Sequence, residues 1–326
     1  MDQNEFIQRL PKAEVHLHLE AALPWPLVRQ LSSENLPETP EWWADEYRFP
    51  DWATFGQAFM ISQSTLQSVE DYQRAASAIF ENLAAQNVRY LEMSIGSEAV
   101  LRKGLHITDV ATAVKNAAPQ GMTVAFICGF NRGFSYSMDD EVVQAVLNAP
   151  IDGIDLHGPE TPDSAKPYAL IYEAAWERGL ITKAHAGEFQ GPDSIYDALD
   201  ILKVKRIEHG TRAFEDDQLI ERLITDEITL DMCPISNLKL GVVSDLTTYP
   251  LKYFVECGVR VTVNTDDPTL FGNTLTNELH VVVDVMGLSL PIVAELQKNA
   301  FRVARLSDEQ RLEILAEIDD LVAHLE

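Results

Sequence analysis

Cysteine is scarce: the 326 residues hold three, Cys128, Cys233 and Cys257. Three scattered thiols cannot build a disulfide framework, and no CxxC pair offers a thiolate metal site. A reducing compartment is therefore expected, with the cytoplasm as the default. Cations are scarce too: 25 Lys and Arg face 51 Asp and Glu, for a net charge of −26. Phosphate backbones are held by Lys and Arg clusters, so this balance argues against a nucleic-acid partner and disfavours anionic membranes. The acidity itself reads as a solvated surface. No run approaches the roughly 20 apolar residues of a membrane span. The opening segment MDQNEFIQRLPKAEVHLHLE has no basic stretch followed by an apolar one, so no secretory signal is expected.

What is present is an alternation. Eight short apolar runs cover residues 13–19, 88–95, 122–130, 151–158, 181–188, 206–211, 228–234 and 259–267. Helix-like segments separate them, notably 71–87, 163–180 and 192–203, with Asp163 and Asp193 as expected N-caps. Eight strand–helix units are the number that closes a parallel (β/α)8 TIM barrel. An open doubly wound sheet is weakened because no GxGxxG or GxxxxGK[ST] turn follows the first run. The chain is expected to form one domain over 1–326. The long region 20–87 carries extra helices and the aromatics Trp42, Trp43, Trp52, Phe55 and Phe59, in the position of a lid. Phe55 and Phe59, four apart, fit pocket lining and plain helix packing equally well. The tail 307–326 reads as a closing amphipathic helix capped by Ser307.

Most of the runs turn polar near their ends, the end of a barrel strand where active sites are built. His16 and His18 lie two apart on the first run and so share a face, here the barrel interior. Two imidazoles in a closed interior need partners, and a shared metal supplies them. His185, His209 and the pair Asp266–Asp267 end three other runs at the same rim. Histidine and carboxylate ligands without thiolate favour zinc. Zinc would lower the pKa of a bound water toward ~7, a histidine beyond the ligands would receive its proton, and Glu188, three residues after His185, would donate one. That division of labour suits hydrolytic attack on an electron-poor carbon bearing a poor leaving group.

The segments HLHLE (16–20), GIDLHGPE (153–160), HAGE (185–188), RIEHGTR (206–212), CPISN (233–237) and NTDDP (264–268) together resemble the adenosine deaminase family, in that family's order. The resemblance implies one Zn2+ per chain on His16, His18, His185 and Asp266. It implies that His209 orients the attacking water and accepts its proton, and that Glu188 protonates the ring nitrogen beside the attacked carbon. Asp267 would bond the five-membered half of the purine, and the Gly158 backbone the ring nitrogen opposite. Glu20, His18, Phe55 and Phe59 would complete the substrate site. The implied reaction is hydrolytic deamination of a 6-aminopurine or its nucleoside, with adenosine or deoxyadenosine leading. Adenine, an N6-substituted adenine or a larger conjugate such as aminodeoxyfutalosine are the alternatives.

Several residues depart from the family's pattern. Ala21 follows HLHLE where glycine is usual, and its methyl is expected to narrow the space beside the sugar. Glu20 stands where adenosine enzymes carry Asp, as in relatives acting on other aminopurines, whereas Gly158-Pro159-Glu160 resembles the nucleoside enzymes. His157 is unusual beside the purine contact, and strand alternation with Gly158 is expected to turn it outward. Arg132 fits pairing with a carboxylate near the site and binding to backbone carbonyls equally. A two-metal amidohydrolase or phosphotriesterase would need a bridging Lys or Glu at the end of the fourth run, which IDLHG does not offer. An inactive binding relative would be expected to have lost a ligand or the proton donor, and all are present.

Overall fold

The structure is a computed structural model that describes residues 1–325. Eight strands, β1 (Lys12–His18), β2 (Val88–Gly96), β3 (Thr123–Asn131), β4 (Gly153–His157), β5 (Ile181–Ala186), β6 (Arg206–His209), β7 (Thr229–Met232) and β8 (Arg260–Val263), pair in parallel in sequence order. Each starts within two residues of its apolar run, and β8 ends four residues short of its run. The ring closes beyond β8, where a parallel bridge joins Leu17 to Asp266 and His18 N donates to Asp266 O at 3.1 Å. The fold is a (β/α)8 TIM barrel with helices outside and β-strand C-termini gathered at one rim.

Alternation along β1 sorts its side chains. Glu14, His16 and His18 face the barrel interior, while Val15 and Leu17 belong to the apolar layer beneath the helices. That interior is more charged than the apolar reading of the strands implies. Arg206 on β6 donates to both oxygens of Glu92 on β2, at 2.8 and 2.9 Å, and to Asp231 on β7 at 2.6 Å. Lys183 on β5 pairs with Glu208 at 2.7 Å and donates to Val15 O at 2.9 Å. These groups are all buried, and in that low dielectric they are tolerable because each charge meets an opposite one. They form an ionic floor beneath the rim where the strand C-termini gather.

The helix Val69–Ala85 begins at a capping box between Ser68 and Asp71. The tail helix Asp308–Ala323 begins as expected at Ser307, in a capping box with Gln310. The other two expected caps are elsewhere. Asp163 adopts a left-handed backbone (φ 61°) in a turn, and the helix it was to open, Ala169–Glu177, starts six residues later. Asp193 lies inside the first turn of Pro192–Asp200, whose N-cap is Gly191 and whose Pro192 already fixes a helical φ.

The long region after β1 folds over the rim. Its helix Trp52–Gln63 packs Phe55 against Phe49 and Phe271, the latter stacked at 6.1 Å between centroids. The indoles of Trp42 and Trp43 both donate to Thr269 O, at 3.2 and 2.9 Å, which ties this region to the turn after β8. No described helix is long and apolar enough to cross a membrane.

Candidate active site

The rim opens into a cavity of about 200 Å³ with His18, His185, Glu188, His209, Asp266 and Asp267 at its base. Four side chains from three strand ends converge there. His16, His18, His185 and Asp266 bring their ligand atoms within 4.8 Å of one another. Asp266 Oδ1 lies 3.4 Å from His16 Nε2 and 3.2 Å from His18 Nε2. Ser236 Oγ donates to its other oxygen at 2.6 Å, which leaves Oδ1 to face the imidazoles. His16 Nδ1 is held by Asp231 O at 3.1 Å, so its ring proton sits there and the Nε2 lone pair points inward. That Nε2 is buried without a hydrogen-bond partner. An orphaned imidazole nitrogen beside two more imidazoles and a carboxylate is the donor set of a tetrahedral zinc site, and the residues fit the group. His185 turns Nδ1 toward Glu208 Oε2, 2.9 Å away but off the line of the ring N–H, so the partners of this ligand sit on the ionic floor.

Two further titratable side chains, Glu188 and His209, stand beside this set. Glu188 Oε2 is 3.6 Å from His209 Nε2, and His209 stacks edge-on against His16 with centroids 4.7 Å apart. Burial, reinforced by the negative charge of Asp266, raises the Glu188 carboxyl well above the usual carboxylate range. Asp267 is raised well above its usual value in the same way, by burial first and then by Asp266, and its Oδ1 has no partner. Asp266 moves oppositely: burial alone would raise it, but the His16 and His18 imidazoles hold it well below. Two of these residues carry strained backbone. His209 (φ 66°) and Asp266 (φ 64°) are both left-handed, a conformation that costs non-glycine residues about 1–3 kcal/mol and aims their side chains off the strand ends into the cavity.

The other sequence-derived residues reach the same cavity. Glu20, Phe55, Phe59 and Gly158 all line it, with Gly158 left-handed at φ 87°. Ala21 does not: it is buried in the aromatic cluster with Phe49, Phe55 and Phe271, so its methyl narrows nothing beside a ligand. The outward placement expected for His157 is overturned. His157 shares a face with Asp155, two residues earlier, and lies inside, 4.7 Å from the His18 ring. Gly158 lines the cavity too because it does so with backbone, for which side-chain alternation is no guide. Arg132 binds carbonyls: those of Leu156 at 3.2 Å, Gly158 at 3.4 Å, and His185.

Three supporting residues carry roles that sequence reasoning left unassigned. Glu160 accepts from the backbone N–H of Gly187, Glu188 and Phe189 at 2.7, 2.9 and 2.9 Å, and so pins the loop that carries Glu188. Asn237 donates to Glu188 Oε1 and meets His209 Nδ1, both at 3.2 Å, while its oxygen accepts from Thr211 Oγ1 and Tyr249 Oη at 2.7 and 2.8 Å. Asp155 sits between His157 and His185, with 2.7 Å to the first and 3.4 Å to the second. Glu160 and Asn237 lay inside quoted motifs, but a motif does not say which backbone a carboxylate will reach across 27 residues.

Comparison with known proteins agrees with this geometry. The family model described as adenosine deaminase matches residues 11–321. An adenine deaminase of Cupriavidus metallidurans is 33% identical over 96% of this chain and 92% of its own length. The crystal structure of adenine deaminase from Arthrobacter aurescens superposes with a TM-score of 0.87 at 32% identity, covering 96% of this chain and 99% of that one. A Burkholderia ambifaria amidohydrolase solved with bound Zn shares the fold, with a TM-score of 0.81 at 21% identity over 98% and 93% of the two chains. With the family model spanning nearly the whole chain and relatives above 30% identity aligned almost end to end, the protein belongs to the adenosine deaminase family.

Proposed function

We propose that this protein is a zinc-dependent aminopurine deaminase whose substrate is free adenine, converted with water to hypoxanthine and ammonia. One observation carries the reaction class: four side chains able to hold a zinc ion, a buried carboxyl whose pKa is raised by burial, and a histidine meet at the base of one cavity. His16, His18, His185 and Asp266 would hold one zinc ion, which when bound supplies an activated water at neutral pH.

The chain's own residues do the rest. Glu188, protonated because burial and the Asp266 charge disfavour its anion, donates to the ring nitrogen beside the amino-bearing carbon. That protonation makes the carbon electrophilic. A C–O bond forms to water, and the C–N bond then breaks as ammonia leaves. Asp267, which lines the cavity, bonds the five-membered ring. The Gly158 backbone meets the opposite ring nitrogen. His209 orients the water. To take its proton at Nε2, His209 must carry its own on Nδ1, which requires the Asn237 amide to turn its oxygen that way. Both amide orientations are satisfiable, because the Thr211 and Tyr249 hydroxyls can donate or accept.

Free adenine is favoured over adenosine by three features. The two relatives named above at more than 30% identity are adenine deaminases. The cavity, about 200 Å³, is smaller than the ~300–1,000 Å³ usual for drug-sized ligands. Glu20, the longer acid where adenosine enzymes carry Asp, is buried at the cavity wall with its carboxylate on Gly96 N at 2.8 Å. Adenosine is the second reading, favoured by Gly158-Pro159-Glu160, which resembles the segment of the nucleoside enzymes. Ammonia release by the zinc-loaded protein on adenine, adenosine, deoxyadenosine and an N6-substituted adenine tests both. Preference for adenine supports the proposal, preference for adenosine replaces it with the second reading, and turnover of none overturns the substrate class.

A further inference from the structure

The side chain of His157 is built into the site in a way its sequence position did not suggest. Its ring lies over Gly129 on the neighbouring strand, where a Cβ would stand 2.0 Å from Cε1 and 2.4 Å from either ring nitrogen. Gly129 sits within a regular strand and has no left-handed φ, so space for this ring is the physical demand for glycine there. Nε2 is engaged twice, 2.7 Å from Asp155 Oδ2 and 2.9 Å from Ser94 Oγ. A buried carboxylate oxygen only accepts, so Nε2 carries a proton, and in the neutral form of the ring the lone pair is the one on Nδ1. Nδ1 bonds to no described residue and is not among the sealed polar atoms, and the residue lines the cavity. Nearby, Glu20 has one oxygen on Gly96 N, and no other residue donates to its second. The wall beside Gly158 therefore offers acceptors.

We infer that His157 is a specificity residue that accepts a hydrogen bond from the N9–H of a free purine base and so selects base over nucleoside. This rests on the deaminase reading. With Glu188 on the nitrogen beside the reacting carbon, Asp267 on the five-membered ring and the Gly158 backbone on the ring nitrogen opposite, the atom next along the edge is N9. The residue preceding Gly158 is the one beside it. A 9-substituted purine has no proton there and puts a carbon against the imidazole instead. A site built to bond an N–H rejects the analogue that lacks it more strongly than an apolar pocket rejects a methylene.

The test compares kcat and KM for adenine and 9-methyladenine in the zinc-loaded wild type, His157→Phe and His157→Asn, with zinc content measured in each. Phe fills the space over Gly129 without an acceptor, whereas the Asn oxygen can take the place of Nδ1. The expected result is a wild-type preference for adenine of at least about 100-fold. His157→Phe should cost adenine about tenfold, mainly in KM, cost 9-methyladenine clearly less, and be partly rescued in His157→Asn, all with zinc retained. Equal losses on both substrates, or a wild type that does not discriminate between them, would overturn the inference. A wild type that deaminates neither, nor any other aminopurine, would instead overturn the deaminase reading beneath it.

Discussion

The side-chain amide of Asn237 stands 3.2 Å from Glu188 Oε1 and, with the same nitrogen, 3.2 Å from His209 Nδ1. One residue thereby fixes the proposed proton donor and the proposed water-orienting histidine relative to each other, and two hydroxyls fix the amide in turn. Replacing Asn237 with Ala removes the tie without touching the metal set. The expected outcome is a fall of about 10–100-fold in kcat with little change in KM and unchanged zinc content, read by steady-state kinetics and metal analysis. A loss confined to KM would mean that Asn237 serves binding instead.

Glu188 must be protonated to act as the donor, and its carboxyl is raised well above the usual range by burial and by Asp266. A raised pKa keeps the acid form at neutral pH and loses it as pH rises, so kcat should fall on the alkaline side through the titration of Glu188. Glu188→Gln should lower kcat by about 10²–10⁴-fold and abolish that alkaline limb. A pH–rate series on both proteins checks the sign.

Chelation is expected to abolish activity and lower the melting temperature, and added zinc to restore both. The imidazoles and Asp266 are held in place in the fold, so a metal that binds only the folded state stabilises it by mass action. His16→Ala, which removes the orphaned Nε2, should leave less than one zinc per chain by elemental analysis.

Gly129→Ala should destabilise the protein by about 1–3 kcal/mol, because the new methyl would lie 2.0 Å from the His157 ring. The double variant Gly129→Ala/His157→Ala should recover most of that loss. Denaturant melts of all four proteins give the coupling, and additive effects would show that the two residues do not compete for the space.

Arg206 is the centre of the ionic floor, bound to Glu92 and Asp231. Arg206→Met would leave both carboxylates buried without their partner, and the expected cost is about 3–5 kcal/mol, visible as a large fall in melting temperature. A drop within experimental error would show that water or Lys183 takes over the compensation.

The strands were legible because a strand covered on both faces must be a short apolar run, and all eight runs became strands. The clustering of His16, His18, His185 and Asp266 was legible for a related reason: two histidines two apart share a face, and polar groups at strand ends share a rim. Helix starts were less legible. Asp163 and Asp193 have the chemistry of caps, but a turn and a proline decided where those helices begin. The buried charges of the interior, Glu92, Lys183, Arg206 and Asp231, were hidden inside apolar runs because each is tolerable only through a partner on another strand.

The sequence by itself determined the barrel, the rim on which the site is built and the His/Asp cluster at its base, since these follow from strand period and side-chain chemistry. Only the tertiary structure decided that His157 faces inward over Gly129, that Ala21 is turned away from the cavity, that Arg132 binds carbonyls and that Asn237 joins Glu188 to His209. Each of these depends on contacts between strands or loops distant in sequence, where distance and direction, not residue type, set the role.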